Sequence, residues 1–366
     1  MKNLILLFLT VLFTAPFCFA QSEEPTLDEK IGEMLMIGFK GYEVSDTSHI
    51  VRDIKKYHLG GVILFDYDVP TDRPVRNIDS PKQVQRLISQ LNDLSDQKLF
   101  IAVDQEGGRV ARLKESRGFV PNVSAEYLGE INNADSTRRY AESMADQLHQ
   151  LGFNLNFAPV VDLNINPDNP VIGRIERSFS ANPEIVEKHA SIFLEEFNKR
   201  NILGVLKHYP GHGSAWNDSH VGMADVTETW QETELEPYRD LIQTDYQFAI
   251  MTAHVLNKNL DEEWPATLSK EVQTELLRNE LGYNGVLFSD DMQMEAIRSF
   301  YGIETAITRA INAGIDVLVF GNNSVYWPDI VPRAVEIIKQ KIDSGEISER
   351  RIDESYHRIM EAKNSL

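Results

Sequence analysis

Three short segments concentrate the side chains that can do chemistry. Asp104-Gln105-Glu106-Gly107-Gly108-Arg109-Val110-Ala111-Arg112 interleaves two carboxylates with two guanidinium groups. Lys207-His208-Tyr209-Pro210-Gly211-His212-Gly213 is followed four residues later by Asp218-Ser219-His220. Ser289-Asp290-Asp291 sets two acids side by side. Carboxylates accept hydrogen bonds and can act as nucleophiles, cations donate, and imidazole moves protons near neutral pH. A carboxylate two residues from an imidazole, as in Asp218 and His220, raises the ring's pKa and fixes its tautomer. An acid/base catalyst needs both.

The segment from Lys207 to His220 tests poorly against the usual motifs. Gly211-x-Gly213 would open a dinucleotide loop, but Trp216 stands at the third glycine position. The Gly-Lys-Ser/Thr ending of a phosphate-binding loop is missing. His208, His212 and His220 lack the His-Glu-x-x-His spacing or the cysteines of a zinc site, so no metal is expected. Two readings remain. One is a structural loop with incidental histidines. The other is a mobile catalytic loop, to which Gly211 and Gly213 lend backbone freedom.

All three segments follow short apolar runs that read as strands. Eight such runs are Met34–Phe39, Gly61–Phe65, Phe100–Val103, Asn154–Phe157, Gly204–Lys207, Phe248–Thr252, Val286–Phe288 and Val317–Phe320. Between them lie amphipathic stretches: Pro81–Asp96, Ser136–Leu151, Pro183–Arg200, Thr233–Thr244, Lys270–Leu281 and Ile303–Ala313. Strands alternating with helices imply right-handed crossovers and a parallel sheet. Eight units predict an α/β fold, a single-domain (β/α)₈ barrel whose site lies at the strand C-termini. A doubly wound sheet is the rival. It would carry a glycine-rich loop after its first strand, where this chain has Lys40-Gly41-Tyr42-Glu43. Polar loops at Asp66–Asp79 and Ile165–Ser180 also follow strand C-termini, and Glu346–Leu366 reads as a final charged helix.

The 366-residue chain is 42% hydrophobic and 25% charged, a composition able to bury a full core. Its formal charge of −20 repels phosphate backbones and argues against nucleic acid as a partner. Residues 1–20 differ from the rest. Lys2 precedes the apolar run Leu4–Phe13, and Cys18-Phe19-Ala20 offers small residues at −3 and −1 of a cut after Ala20. This predicts a signal peptide over 1–20, a mature chain of 21–366, and a periplasmic or secreted protein with no stable membrane insertion. Phe17 before the cysteine is too large for a lipoprotein site. Cleavage removes Cys18, the only cysteine, which suits an oxidising compartment.

At the Lys207–His220 loop the sequence resembles the β-N-acetylglucosaminidases of glycoside hydrolase family 3. The run Leu276-Leu277-Arg278-Asn279-Glu280-Leu281-Gly282-Tyr283-Asn284-Gly285-Val286-Leu287-Phe288-Ser289-Asp290 is similar to the wider family's nucleophile signature. Asp104–Val110 and Ile172-Gly173 through Arg177-Ser178-Phe179 are two further landmarks. The likeness extends from about Leu27 to about Phe320.

The resemblance implies roles. Asp290 matches the nucleophile of a retaining, double-displacement hydrolysis, with Asp291 as fallback. His220 matches the acid/base and Asp218 its partner. Asp104, Arg112, Arg177, Lys207 and His208 match sugar-binding residues. The implied substrate is a small GlcNAc-terminated carbohydrate, from peptidoglycan fragments or chitooligosaccharides, handled without a cofactor. Alternatives are a β-glucosidase-like activity, against which the Asp-Ser-His loop counts, phosphorolysis of N-acetylglucosaminides, and a decayed glycan-binding barrel. Val221-Gly222-Met223-Ala224 lacks the proline the pattern leads one to expect after His220. Many members carry a second α/β domain after the barrel, and this chain is expected to be of the single-domain N-acetylglucosaminidase type.

Overall fold

The computed structural model describes residues 24–366, and the expected signal segment lies outside them. Eight strands form one all-parallel sheet: β1 (Leu35–Gly38), β2 (Gly61–Leu64), β3 (Phe100–Val103), β4 (Leu155–Asn156), β5 (Leu203–Tyr209), β6 (Phe248–Thr252), β7 (Leu287–Phe288) and β8 (Leu318–Phe320). Each pairs with its sequence neighbour, and β8 returns to β1 through Leu35↔Leu318 and Ile37↔Phe320. The ring closes between β7 and β8. A parallel bridge joins Phe288 to Val317, and the Ser289 N–H donates to the Val317 carbonyl at 2.9 Å.

Every residue of these eight strands is buried. Helices cover the outside and side chains fill the inside, so the strands are apolar runs rather than alternating ones. Inside the barrel, the Phe288 ring meets Phe100 and Phe157 edge-on at 5.9 and 5.7 Å. At the N-terminal end, Lys363 of the last helix pairs with buried Glu33 and lies 5.1 Å from the Phe100 ring centre. That end is therefore plugged, which leaves the strand C-termini for a site.

The eight expected strands are all present, and so is the barrel they imply. The helices agree less well. Pro81–Asn92, Ala134–Leu151, Pro183–Asn198, Ile303–Ala313 and Glu349–Ser365 fall where the periodicity puts them. Thr233–Thr244 instead divides into a 3₁₀ turn at Glu232–Leu235 and a helix at Glu236–Ile242, while Glu271–Glu280 winds as a π-helix. Among the described residues, no helix is long and apolar enough to cross a membrane.

Candidate active site

The site is built at the C-terminal ends of β3, β4, β5 and β7. Beyond β3 the chain makes a small antiparallel hairpin, Gln105–Gly107 against Val110–Ala111, turned by Gly107 and Gly108 at φ of 107° and 58°. Asn156 at the end of β4 clamps its base: Gln105 N donates to Oδ1 at 3.0 Å, and Nδ2 donates to the Gln105 carbonyl at 2.9 Å. The turn brings Arg112 back over Asp104, with Nη2 3.5 Å from Oδ2.

In β5 the pairing with β6 slips between Leu206 and Tyr209. Such an irregularity re-aims side chains, and here it falls on Lys207 and His208. Lys207, only 1% exposed, donates to Asp104 Oδ1 at 2.8 Å and lies 2.6 Å from Glu106 Oε1. Arg177 grips the same carboxylate with both Nε and Nη2, each at 2.7 Å. Its Nη1 donates to the Val171 carbonyl at 2.8 Å. Burial alone would raise the two acids. The charges of Arg177 and Lys207 overcome this and hold Glu106 at about 2. Lys207 and Arg112 likewise keep Asp104 below its usual value.

His208 Nδ1 lies 2.6 Å from Oδ2 of Asp162, a fully buried acid after β4. The His212 backbone N–H donates to Asp162 Oδ1 at 2.7 Å. Asp162 is therefore ionised in spite of its burial, held down by His208 and His212.

The loop after β5 has two halves. Pro210–Ala215 is buried, whereas Trp216, Asn217, His220 and Val221 are exposed. Gly213 does not supply mobility. A Cβ there would stand 1.7 Å from the Leu163 carbonyl oxygen, so only glycine permits the close approach. Gly211 adopts φ 123° against Glu234. The loop after β4 braces this half: Asn166 Nδ2 donates to the Ala215 carbonyl at 2.8 Å and Asn169 Nδ2 to that of His212 at 2.7 Å. His212 Nε2, 3.2 Å from Ser219 Oγ, ties the exposed half to the buried one.

Within that exposed half, Asp218 Oδ1 accepts from the His220 backbone N–H at 2.8 Å and lies 2.8 Å from its Nδ1. With Nδ1 so engaged, His220 lines the cavity. The bond to Asp218 raises the imidazole pKa, and the charge of Asp290 adds to the effect. The three loop histidines thus have three separate partners: Asp162, Ser219 and Asp218.

The adjacent acids after β7 part company. Asp290 lines the cavity. Burial opposes its charge, but His254, His208 and His220 outweigh burial and keep it ionised. Asp291 is occupied with structure, its Oδ1 accepting from the Gln293 and Gly321 backbone N–H groups at 3.0 Å each. Burial raises it to about 6. The next helix, Glu295–Tyr301, is not capped by Asp290, as Met294 holds that position.

The resulting cavity of about 250 Å³ has Ile63, Phe157, Met251 and Val319 among its apolar walls. Asp104, Arg112, Arg177, Lys207, His208, His220 and Asp290 all line it. Asp218 stands behind His220. The structure thus gathers around one pocket the residues matched to nucleophile, acid/base pair and sugar binding, while Arg109, His212 and Asp291 are not among its lining. Arg177 and Lys207 are less available to a ligand than expected, because Glu106 engages both. Sequence reasoning assigned no role to Glu106 or Asp162. Glu106 is the second acid of the Asp104–Arg112 segment, and two acids among that segment's cations were a signal of pairing. Nothing in the sequence around Asp162 pointed to His208.

Comparisons with known proteins agree with this architecture. Residues 26–362 match the family model described as the glycosyl hydrolase family 3 N terminal domain. Beta-hexosaminidase A of Pseudoalteromonas piscicida is 31% identical over 378 residues, covering 93% of this chain and 61% of that protein. A beta-hexosaminidase of Tolumonas auensis is 35% identical, covering 79% of this chain and 83% of its own length. The structure of a glycoside hydrolase family 3 beta-N-acetylglucosaminidase from Paenibacillus sp. str. FPU-7 superposes with a TM-score of 0.85 at 34% identity, covering 93% of this chain and 63% of that one. The chain thus spans about three fifths of the Pseudoalteromonas and Paenibacillus proteins. A closed eight-stranded parallel barrel, a charged pocket at its C-terminal mouth and a family match over nearly all the described residues lead to one assignment: the chain belongs to glycoside hydrolase family 3.

Proposed function

We propose that this protein is an exported, retaining β-N-acetylhexosaminidase. It removes terminal, non-reducing β-linked N-acetylglucosamine from peptidoglycan fragments or chitooligosaccharides. The observation that carries the reading is the Asp218–His220 pair on a loop at the mouth of the pocket that holds Asp290. The names of the Pseudoalteromonas, Tolumonas and Paenibacillus relatives support the same activity.

In the first step the Asp290 carboxylate attacks the anomeric carbon, and the bond to the leaving oxygen breaks as His220 gives that oxygen its proton. In the second, His220 takes a proton from water, the hydroxide bonds to the same carbon, and Asp290 leaves as carboxylate. An ionised Asp290 and a more basic His220 are the starting states this requires. Asp104, Arg112, Arg177, Lys207 and His208 hold the sugar's hydroxyl and acetamido oxygens, with Glu106 and Asp162 fixing the donors.

The test compares aryl β-N-acetylglucosaminide with aryl β-glucoside. The first should be hydrolysed far faster; equal or reversed rates would move the protein to a β-glucosidase-like activity. A 2-fluoro glycoside inactivator should label Asp290, and labelling of Asp291 would reassign the nucleophile. Phosphorolysis is the second reading, favoured by an imidazole where other retaining enzymes have an anionic carboxylate, because it repels an incoming anion less. Formation of N-acetylglucosamine 1-phosphate in phosphate buffer would establish it. Export rests on the Lys2–Ala20 pattern. The N-terminus of protein recovered from periplasm or medium should be Gln21, and an intact Met1 on a cytoplasmic protein would end that part of the proposal.

A further inference from the structure

His254 follows β6 and is wholly buried. It does not line the cavity, and no step above uses it. Its Nε2 lies 3.0 Å from the backbone carbonyl oxygen of Asp291. A carbonyl only accepts, so Nε2 carries the hydrogen. Nδ1 lies 2.8 Å from Thr267 Oγ1, which in turn is 2.8 Å from Thr252 Oγ1. Thr267 Oγ1 gives its hydrogen to the Ala253 carbonyl at 2.9 Å, which anchors the hydroxyl against the ring. The chain of contacts fixes the plane of the ring.

This matters for the turn after β7. The strand ends at Phe288, so ladder pairing does not reach Asp290. The turn is held instead by single bonds: Asp291 N donates to Asp290 Oδ1 at 2.7 Å, Gln293 N and Gly321 N donate to Asp291 Oδ1, and Met292 N donates to the Val319 carbonyl at 2.9 Å. The His254 bond to the Asp291 carbonyl is the only side-chain donor in this set, and it comes from a different strand. We propose that His254 is a positioning residue for the nucleophile: backed by Thr267 and Thr252, it fixes the Asp290–Asp291 turn and so the aim of the Asp290 carboxylate. The inference rests on the reading of Asp290 as nucleophile.

The test measures two quantities in His254→Leu, His254→Gln and Thr267→Val. One is the rate at which the 2-fluoro inactivator forms the glycosyl-enzyme, and the other is the affinity for free N-acetylglucosamine. His254→Leu removes the donor and should slow glycosyl-enzyme formation by about 10- to 100-fold. Sugar affinity should stay within about twofold, because Asp104, Lys207 and Arg177 are untouched. In His254→Gln an amide N–H reaches the Asp291 carbonyl, and the rate should recover to within about threefold of wild type. Thr267→Val keeps the shape, removes the hydroxyl that holds Nδ1, and should slow the same step with affinity preserved; it decides alone if His254→Leu does not fold. A folded His254→Leu that reacts at the wild-type rate overturns the inference. So does a loss of rate and affinity together that glutamine does not restore. Labelling of a carboxylate other than Asp290 in the wild type would instead sink the functional reading on which it stands.

Discussion

Replacing Glu106 by glutamine tests whether the pocket's charges support one another. Glu106, its side chain 5% exposed, accepts two bonds from Arg177 and faces Lys207 at 2.6 Å. Glutamine keeps the shape but removes the charge, and its amide can turn a donor toward two cations. Two routes give the magnitude. Breaking a buried pair by neutralising one partner costs about 3–5 kcal/mol. Independently, a carboxyl that titrates at about 2 in the fold, against an ordinary value of 4.5, contributes about 3 kcal/mol of stability at neutral pH. The sign follows from the depressed value. The contribution is complete above pH 4.5 and is lost as pH falls through the interval down to about 2. Guanidinium unfolding at pH 7, followed by tryptophan fluorescence and circular dichroism, should show Glu106→Gln less stable by about 3 kcal/mol or more. The gap should close as the pH approaches 2. A loss under about 1 kcal/mol at pH 7, as for an exposed pair, would refute the reasoning. So would a gap that does not change with pH.

Three other outcomes are expected. His220→Ala should slow glycosides with poor leaving groups most, because activated aryl groups need little protonation; an equal loss across leaving groups at the glycosylation step would make His220 a sugar-binding residue. Asp218→Ala should draw the alkaline limb of kcat/KM to lower pH, since the proposed first step needs His220 protonated and Asp218 is the main cause of its raised pKa; an unmoved limb would dissociate the pair from catalysis. Gly213→Ala should cost about 3 kcal/mol and much of the activity, because its Cβ would meet the Leu163 oxygen at 1.7 Å; an unchanged melting temperature would show that the loop after β4 yields easily.

The strands were legible because each is buried on both faces and so appears as an uninterrupted apolar run. Gly61–Leu64 and Phe100–Val103 stand in the structure almost as the sequence sets them off. The pocket residues were legible because charged side chains cluster immediately after such runs. Helices such as His49–Tyr57 and Ile330–Asp343 were not singled out by periodicity. Long-range pairing was also hidden. Arg177 and Glu106 are 71 residues apart and Asp162 and His208 are 46 apart, and no local pattern links either pair. Gly211 and Gly213 were legible as special but not as to why. Glycine signals either freedom or close approach, and only the position of Leu163 decides between them.

The pocket separates what must be rigid from what must act on a changing partner. Donors lining the cavity are pinned by acids: Lys207 by Asp104 and Glu106, Arg177 by Glu106, His208 by Asp162. Each pairing costs the protein desolvation and returns fixed geometry, which suits the sugar-binding role proposed for these groups. His220 is treated differently. Its side chain is 58% exposed, and its one resolved side-chain partner is Asp218, two residues away on the same loop. A proton donor and acceptor must meet a leaving oxygen in one step and a water in the next, and it must exchange its proton in between. A fully buried imidazole would lose that exchange, and His212 illustrates the cost, since burial drives it down to about 4. Carrying the proposed acid/base with its own carboxylate on the exposed half of the loop keeps the ring basic without burying it. The anchored half, through Gly213 and the Ser219–His212 contact, keeps the pair at the mouth of the pocket.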